Sequence, residues 1–433
     1  MSADTLHHLS GGLPLQQIPR PGPAILAARL VIRGGSGADP VGRRGAAQLL
    51  AGLMTRGCGD LGAEALADLV EGAGAALRAE ASEDNLTLAL KCASDDAERL
   101  LPLLIPMVRA PRLEPDQLEL ERQLNLQTLQ RQREDPFQLA HDGLRGLLYG
   151  DGPYGHDPLG LEPELARIGH GDLQRLQQGL GRSGAVLVLC GDLPVAAGER
   201  LEGELQRHPW PAVAPAPAPF TGPEPLPAGP ELACCPQDTE QLVLMLGAAS
   251  VPLGHDDALP LRLLQAHLGH GMSSRLFQVM REQLGLAYDV GVHLPARCGA
   301  APFVVHLSSS TDRAAEASTA LLAEWERLLE QPLTAPELEL AVAKLRGMDA
   351  LGRQTCGQLA ERRALLLSHG LPADHLDRSL ERAAELSADD LQAAARRWLG
   401  QPRLSLVGPD AALAAASRAW QARPSLPLSP PGG

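Results

Sequence analysis

Between Pro209 and Pro230 the chain reads PWPAVAPAPAPFTGPEPLPAGP, with nine prolines in 22 residues. Each proline fixes its own φ and removes a backbone donor, so the stretch sustains neither a helix nor a strand ladder. An extended, semi-rigid polyproline II connector is the expected form. It parts the 433-residue chain, too long for one hydrophobic core and by length a chain of two to four domains, into two segments of similar length. The tail, RPSLPLSPPGG, is expected to fray.

The two segments share an order of features. Asp172-Leu-Gln opens a helical pattern 19 residues before the Gly191 that ends AVLVLCG, and Asp390-Leu-Gln opens one 18 residues before the Gly408 that ends RLSLVG. Each half also begins with an apolar strand running into glycine, then a loop and a helix: ILAARLVIRGG before GRRGAAQLLAGLM, and QLVLMLGAA before LPLRLLQAHLG. Matches at both ends of each half argue for a duplicated unit. Apolar residues at three- and four-residue spacing predict helices over Leu61 to Leu77, Leu118 to Leu129 and Ala314 to Leu329. Asn85 to Cys92 alternates and reads as a half-buried strand, and Pro302 to Ser308 reads as another. Strands mixed with runs of helices predict an α+β fold, with helices on one face of a sheet. The expected division is 1–208, a connector at 209–230, 231–421, and a flexible tail at 422–433.

Composition narrows the function classes. Hydrophobic residues make up 44% and charged residues 21%, as in ordinary globular proteins. A net charge of −14 with no basic run argues against nucleic acid and against an anionic membrane as partner. The longest apolar candidate, Leu242 to Leu253, is too short to span a bilayer and contains Gly and Pro. The opening MSADTLHHLSGG has neither the basic nor the apolar region of a secretory signal, so a cytoplasmic location is expected. The seven cysteines (58, 92, 190, 234, 235, 298, 356) are odd in number and form no Cys-x-x-Cys; they read as reduced, mostly buried thiols.

The densest constellation is LLQAHLGHGMSSRLFQVMREQLGLAYDV, from Leu263 to Val290. Gly269 and Gly271 make a glycine-rich turn before Ser273, Ser274, Arg275, Leu276 and Phe277; Arg281 and Glu282 then precede Gly285, Leu286, Ala287 and Tyr288. A helix here should end near Gly285, which puts Tyr288 at the start of a strand. Arg281 offers a fixed fork of hydrogen-bond donors and Tyr288 a phenolic one. In order and spacing the segment resembles the second-half signature of the pitrilysin/insulinase family of zinc metallopeptidases, in its processing-peptidase-like branch. With the repeat and the connector, the resemblance spans nearly the whole chain. It implies two homologous domains, each a mostly antiparallel sheet packed with helices. It also implies that Arg281 and Tyr288 contact a bound peptide beside the scissile bond, in trans to a zinc site.

The resemblance places that zinc site in the first half, on an inverted motif His-x-x-Glu-His with a third carboxylate ligand some seventy-five residues on. Here Gln48 stands at the first His, Ala51 at the base Glu, Gly52 at the second His and Thr128 at the third ligand; Glu121, a supporting acid, is retained. Gln and Thr are poor zinc ligands, Ala and Gly offer none, and no His-x-x-Glu-His occurs elsewhere. No metal and no cofactor are expected in this chain. Smaller features read as structural. His267 and His270 lack a third ligand or base, Ser273 and Ser274 lack a triad, His7 and His8 lie in an N-terminus expected to be mobile, and no phosphate loop occurs.

The resemblance therefore implies a non-catalytic, zinc-less subunit of a heterodimeric peptidase. Such a chain would be inactive alone and would lend Arg281 and Tyr288 to a homologous zinc-bearing partner acting on a peptide substrate. The alternative is a structural or peptide-binding core-type subunit with no role in hydrolysis, which has no use for the Arg–Tyr pair.

Overall fold

The structure, a computed structural model, describes residues 5–20, 22, 24–192, 196–212 and 229–423. Most of the proline-rich connector and nearly all of the tail lie outside the described residues. Two compact units form. One comprises the described residues of Met1–Gln130, His156–Pro217 and Leu351–Ala373, the other those of Arg131–Gly155, Ala218–Ala350 and Asp374–Gly433.

The first unit is built on six strands: β1 (Thr5–His8), β2 (Pro14–Pro19), β3 (Ile25–Arg33), β6 (Ala76–Ala81), β7 (Asn85–Ala93) and β8 (Ala185–Gly191). The short pair β4 (Gly57–Cys58) and β5 (Leu61–Gly62) forms a separate ribbon. The second unit has β9 (Leu232–Pro236), β10 (Gln241–Ala249), β11 (Asp289–His293), β12 (Pro302–Ser310) and β13 (Arg403–Gly408). Strand order is β1-β2-β8-β3-β7-β6 in the first sheet and, read from its other edge, β9-β13-β10-β12-β11 in the second. Apart from the added β1, the orders match strand for strand. Each sheet is antiparallel except for one parallel pair at the same place, β2 with β8 and β9 with β13. The duplication read from the sequence is thus a duplication of topology, and the fold is α+β with two like domains.

The repeated Asp-Leu-Gln has a physical cause. Asp172 accepts a hydrogen bond from the Gly169 N–H at 2.9 Å at the start of the His170–Gly179 helix. Asp390 does the same for Ser387 at 2.8 Å before the Ala388–Trp398 helix, completing a capping box. The same residue recurs because the same helix start recurs.

One face of each sheet packs against several helices. In the first unit Ala28, Leu30 and Ile32 of β3 and Leu86, Leu88 and Leu90 of β7 meet Leu49, Leu50 and Leu53 of the Ala46–Met54 helix. In the second, Leu242, Leu244 and Leu246 of β10 meet Leu261, Leu264 and Leu268 of the Ala258–Gly269 helix and Trp325 of the Ala314–Glu330 helix. The other face of each sheet carries a single helix, where helices were expected on one face only. Ala360 and Ala364 of the Cys356–Ser368 helix cover Ile18, Val31, Val186 and Val188. Ala140, Leu144 and Leu148 of the Pro136–Tyr149 helix cover Val243, Met245, Val304 and Val407. Each covering helix comes from the opposite half of the sequence, so the compact units do not follow the linear division at the connector.

Other local expectations are corrected. The helix expected over Leu61 to Leu77 is Ala63–Glu71 only, because Gly72 and Gly74 turn the chain (Gly74 at φ +61°) and Leu77 lies in β6. His7 and His8 sit in β1, paired with β2, rather than in a mobile end. Trp210, at the start of the proline-rich stretch, is buried in the first core and donates its indole N–H to the Leu180 carbonyl at 2.8 Å. Only Cys58, Cys92 and Cys190 are buried. The Pro115–Gln132 and Ala314–Glu330 helices and strands β7 and β12 stand where expected. Among the described residues no helix is long and apolar enough to cross a membrane.

Candidate functional site

The positions that the zinc motif would occupy lie on the Ala46–Met54 helix of the first unit. Asp39 holds the start of this helix, accepting from the Gly45 N–H at 2.7 Å and the Ala47 N–H at 2.9 Å. Burial drives the Asp39 carboxyl up to about 7, against the pull of those donors. One turn in, the Gln48 side-chain oxygen accepts the N–H of Ala81 at 2.8 Å, tying the helix to the end of β6. Ala51 is fully buried. Gly52 faces the Pro115–Gln132 helix so closely that a methyl group on it would overlap the Glu121 carboxylate. Glu121, Asn125 and Thr128 share a face of that helix by their spacing of four and three. Thr128 turns its hydroxyl back onto the Leu124 carbonyl at 2.9 Å.

These residues do not fit a zinc ion. The Gln48 oxygen is engaged by a backbone donor, Ala51 and Gly52 provide no ligand atom, and the Thr128 hydroxyl bonds its own helix. The buried Glu121 carboxylate has instead a protein cation, the Arg56 Nε, at 2.7 Å. A guanidinium from the end of the motif helix answers the charge of the retained acid.

Arg281 and Tyr288 lie together on the second unit. The Phe277–Gln283 helix is wound in wide π-type turns, with the Leu284 N–H reaching back to the Val279 carbonyl at 3.0 Å. Gly285, at φ +58°, stops it, and the Leu286 and Ala287 N–H groups both bond the Met280 carbonyl. The buried pair Leu286 and Ala287 anchors this turn and leaves Tyr288 immediately before β11, an edge strand. The Arg281 guanidinium lies 4.9 Å from the Phe277 ring centroid and 5.1 Å from that of Tyr288. It also donates to the Tyr288 carbonyl at 3.1 Å. The guanidinium is therefore held between two aromatic rings, an attraction of about 0.5–1 kcal/mol per ring at exposed sites. Tyr288 remains 79% exposed. The arrangement presents a positioned cation and a phenol side by side at a sheet edge, able to donate to peptide carbonyls. Phe277 is the partner that the sequence reading passed over, although its spacing of four from Arg281 on a helix was the available signal.

The rest of the motif is structural. Ser274 is buried, and its N–H closes the glycine turn onto the Gly271 carbonyl at 3.0 Å. Arg275 makes a two-pronged pair with Glu324 at 2.7 and 2.8 Å, locking the turn to the Ala314–Glu330 helix. His267 is buried, and desolvation, the largest cause, lowers its pKa from 6.5 to about 4; His270 is exposed beyond the helix end. The two imidazoles do not act as a unit.

Comparison with known proteins gives the lineage. Residues 20–157 match the family model described as insulinase, peptidase family M16, and residues 180–345 match the one described as peptidase M16 inactive domain. An uncharacterised zinc protease of Streptomyces coelicolor is 24% identical over 377 residues, covering 84% of this chain and 81% of its own length. Among solved structures, a peptidase M16 inactive domain from Pseudomonas fluorescens superposes with a TM-score of 0.84 at 22% identity, covering 94% of this chain and 98% of that one. A chain of complex III2 from Candida albicans shares the fold with a TM-score of 0.79 at 12% identity, covering 96% of this chain and 99% of its own. The chain belongs to the pitrilysin/insulinase family of zinc metallopeptidases, peptidase family M16, as a member in which the inverted zinc motif is absent.

Proposed function

We propose that this protein is the non-catalytic, zinc-less subunit of a heterodimeric peptidase. It lends Arg281 and Tyr288 to a homologous partner that bears the zinc and acts on a peptide substrate. One observation carries the reading: the Arg–Tyr pair is assembled, stacked and exposed, while Gln48, Ala51, Gly52 and Thr128 give zinc nothing to bind. A scaffold subunit has no need to hold a guanidinium between two rings beside an open strand edge. In this reading an extended peptide lies along a sheet edge by strand addition, Arg281 holds its carbonyls and the Tyr288 phenol donates where negative charge develops. The assembly would be cytoplasmic, and neither nucleic acid nor a membrane is needed.

The test is reconstitution. The purified chain should carry less than stoichiometric zinc and cleave no fluorogenic peptide. Mixed with a family homologue that has the intact motif, it should yield a complex with activity that neither chain shows alone. In that complex Arg281→Ala or Tyr288→Phe should lower turnover on the order of 100–1,000-fold without weakening assembly. A confirmed complex with no gain in activity would favour the structural role, and full activity in both variants would reduce the pair to packing.

A further inference from the structure

The outer face of the first sheet holds a second polar constellation that the peptidase reading does not use. Strand register brings it together. Arg78 of β6 lies opposite Ala89 of β7, and Ala89 lies opposite Arg29 of β3. Two guanidinium-bearing residues thus flank an alanine in one row across three strands. Lys91 stands two residues further along β7, on the same face, between Ala76 and Ala27. Next-but-one neighbours on a sheet face are about 7 Å apart, within reach of long side chains. Three cationic side chains therefore surround a floor made by the small side chain of Ala89.

The Cys356–Ser368 helix forms the wall of this hollow. Its first turn carries Gly357, where a methyl would come within 2.6 Å of the Lys91 Cε and 3.5 Å of an Arg29 guanidinium nitrogen. The absence of a side chain lets Lys91 and Arg29 pack closely on the helix start, whose Gln358 N–H is capped by the Thr355 hydroxyl at 3.2 Å. Between helix and strands β3, β7 and β6 lies a cavity of about 400 Å³, lined also by Glu80, Asn85 and Glu361.

The charges are poorly answered from within. Arg29 is 7% exposed, yet among the described residues it bonds only the neighbouring Ala28 carbonyl at 3.0 Å and reaches Glu361 at 3.6 Å, a carboxylate whose side chain is 72% exposed. A buried guanidinium ordinarily has a close, desolvated partner. Arg78 and Lys91 make no ion pair among the described residues. Glu80 lies one step along β6 from Arg78, opposite Thr87, at the side of the hollow away from Lys91. Arg29, Arg78 and Lys91 outnumber the two carboxylates that line the same hollow, Glu80 and Glu361, so a small anion over the Ala89 floor would be attracted.

We propose that this hollow is a binding site for a small oxyanion, a phosphate-type or carboxylate-type ligand seated over Ala89 and held by Arg29, Arg78 and Lys91. The site stands within one unit, needs no partner chain and does not rest on the peptidase reading. The test uses the full chain, with pyrophosphate and citrate as separate probes titrated by calorimetry against chloride at equal ionic strength. Binding of pyrophosphate alone, of citrate alone, or of both supports the site and tells the two chemistries apart. The Arg78→Ala/Lys91→Ala variant changes only exposed side chains, keeps the buried Arg29 and should retain the thermal unfolding midpoint of the wild type without ligand. It should bind the same probe at least about tenfold more weakly, the loss expected when charge-assisted contacts to an anion are removed. No binding of either probe at millimolar concentration, or binding undiminished in the double variant, overturns the proposal.

Discussion

At the scale of single residues, the degenerate motif is a repacked site rather than a gap. Gly52 leaves room for the Glu121 carboxylate, and Arg56 supplies the cation that makes its burial tolerable. Arg56→Ala would leave Glu121 buried without its partner, which costs roughly 1–3 kcal/mol. Urea denaturation should show that loss, and Arg56→Ala/Glu121→Gln should recover part of it because no charge is then stranded. A single variant as stable as the wild type would mean that Glu121 finds solvent. The two sites differ in how far the sequence foretold them. The absence of a His-x-x-Glu-His motif was legible, because ligand chemistry belongs to residue type. What replaced the ligands was not legible, since the pairing of Arg56 with Glu121 joins positions far apart in the chain. The stacking of Arg281 on Phe277 and Tyr288 lies between these cases: the pair was visible, its aromatic clamp was not.

At the scale of elements, the motif from Leu263 to Val290 works as a helix, a turn, a wide helix and a strand, and each boundary has a cause. Gly271 and Gly285 take left-handed conformations, and the Arg275–Glu324 pair pins the turn between them. The glycines could be read from the sequence because their type adopts those angles at the least cost. The π-type winding could not, because apolar spacing does not distinguish it from an ordinary helix end. The Ala63–Glu71 helix shows the converse error: apolar spacing continued past its end, and two glycines overrode it.

His267 adds a pH dependence at this scale. It sits on the buried side of the Ala258–Gly269 helix, and burial depresses its pKa to about 4. Lys344, Arg327 and Arg275 push in the same direction, while Glu337 opposes them. Between about 4 and the ordinary 6.5 the unfolded chain binds a proton that the folded chain refuses. Stability from this group is complete above 6.5 and is lost as pH falls towards 4. The advantage of wild type over His267→Gln should accordingly shrink by up to about 3 kcal/mol across that window, read from urea midpoints at several pH values. An advantage independent of pH would show that the imidazole is already solvated.

At the scale of the whole molecule, the duplication was legible and the exchange of helices was not. Matching strands and matching caps are local patterns, whereas nothing in residues 136–149 or 356–368 announces which sheet they cover. The apolar faces they bury are continuous: Ile18, Val31, Val186 and Val188 in one sheet, Val243, Met245, Val304 and Val407 in the other. Fragments 1–208 and 231–433 should each aggregate or remain partly folded when expressed alone, with their sheets stripped on one side. Expressed together, they should give a soluble complex with a single unfolding transition. Either fragment behaving alone as a native-like monomer would show that its covering helix is dispensable.

That exchange sets a limit on how far the protein can be trimmed. The first half of the sequence owns the stretch from Pro136 to Tyr149, and among the described residues of the second half none takes its place on that sheet face. A minimal module bearing Arg281 and Tyr288 cannot be cut at the connector: it would have to carry a graft of that helix, with a small residue kept at Gly143 where it presses on Ser405.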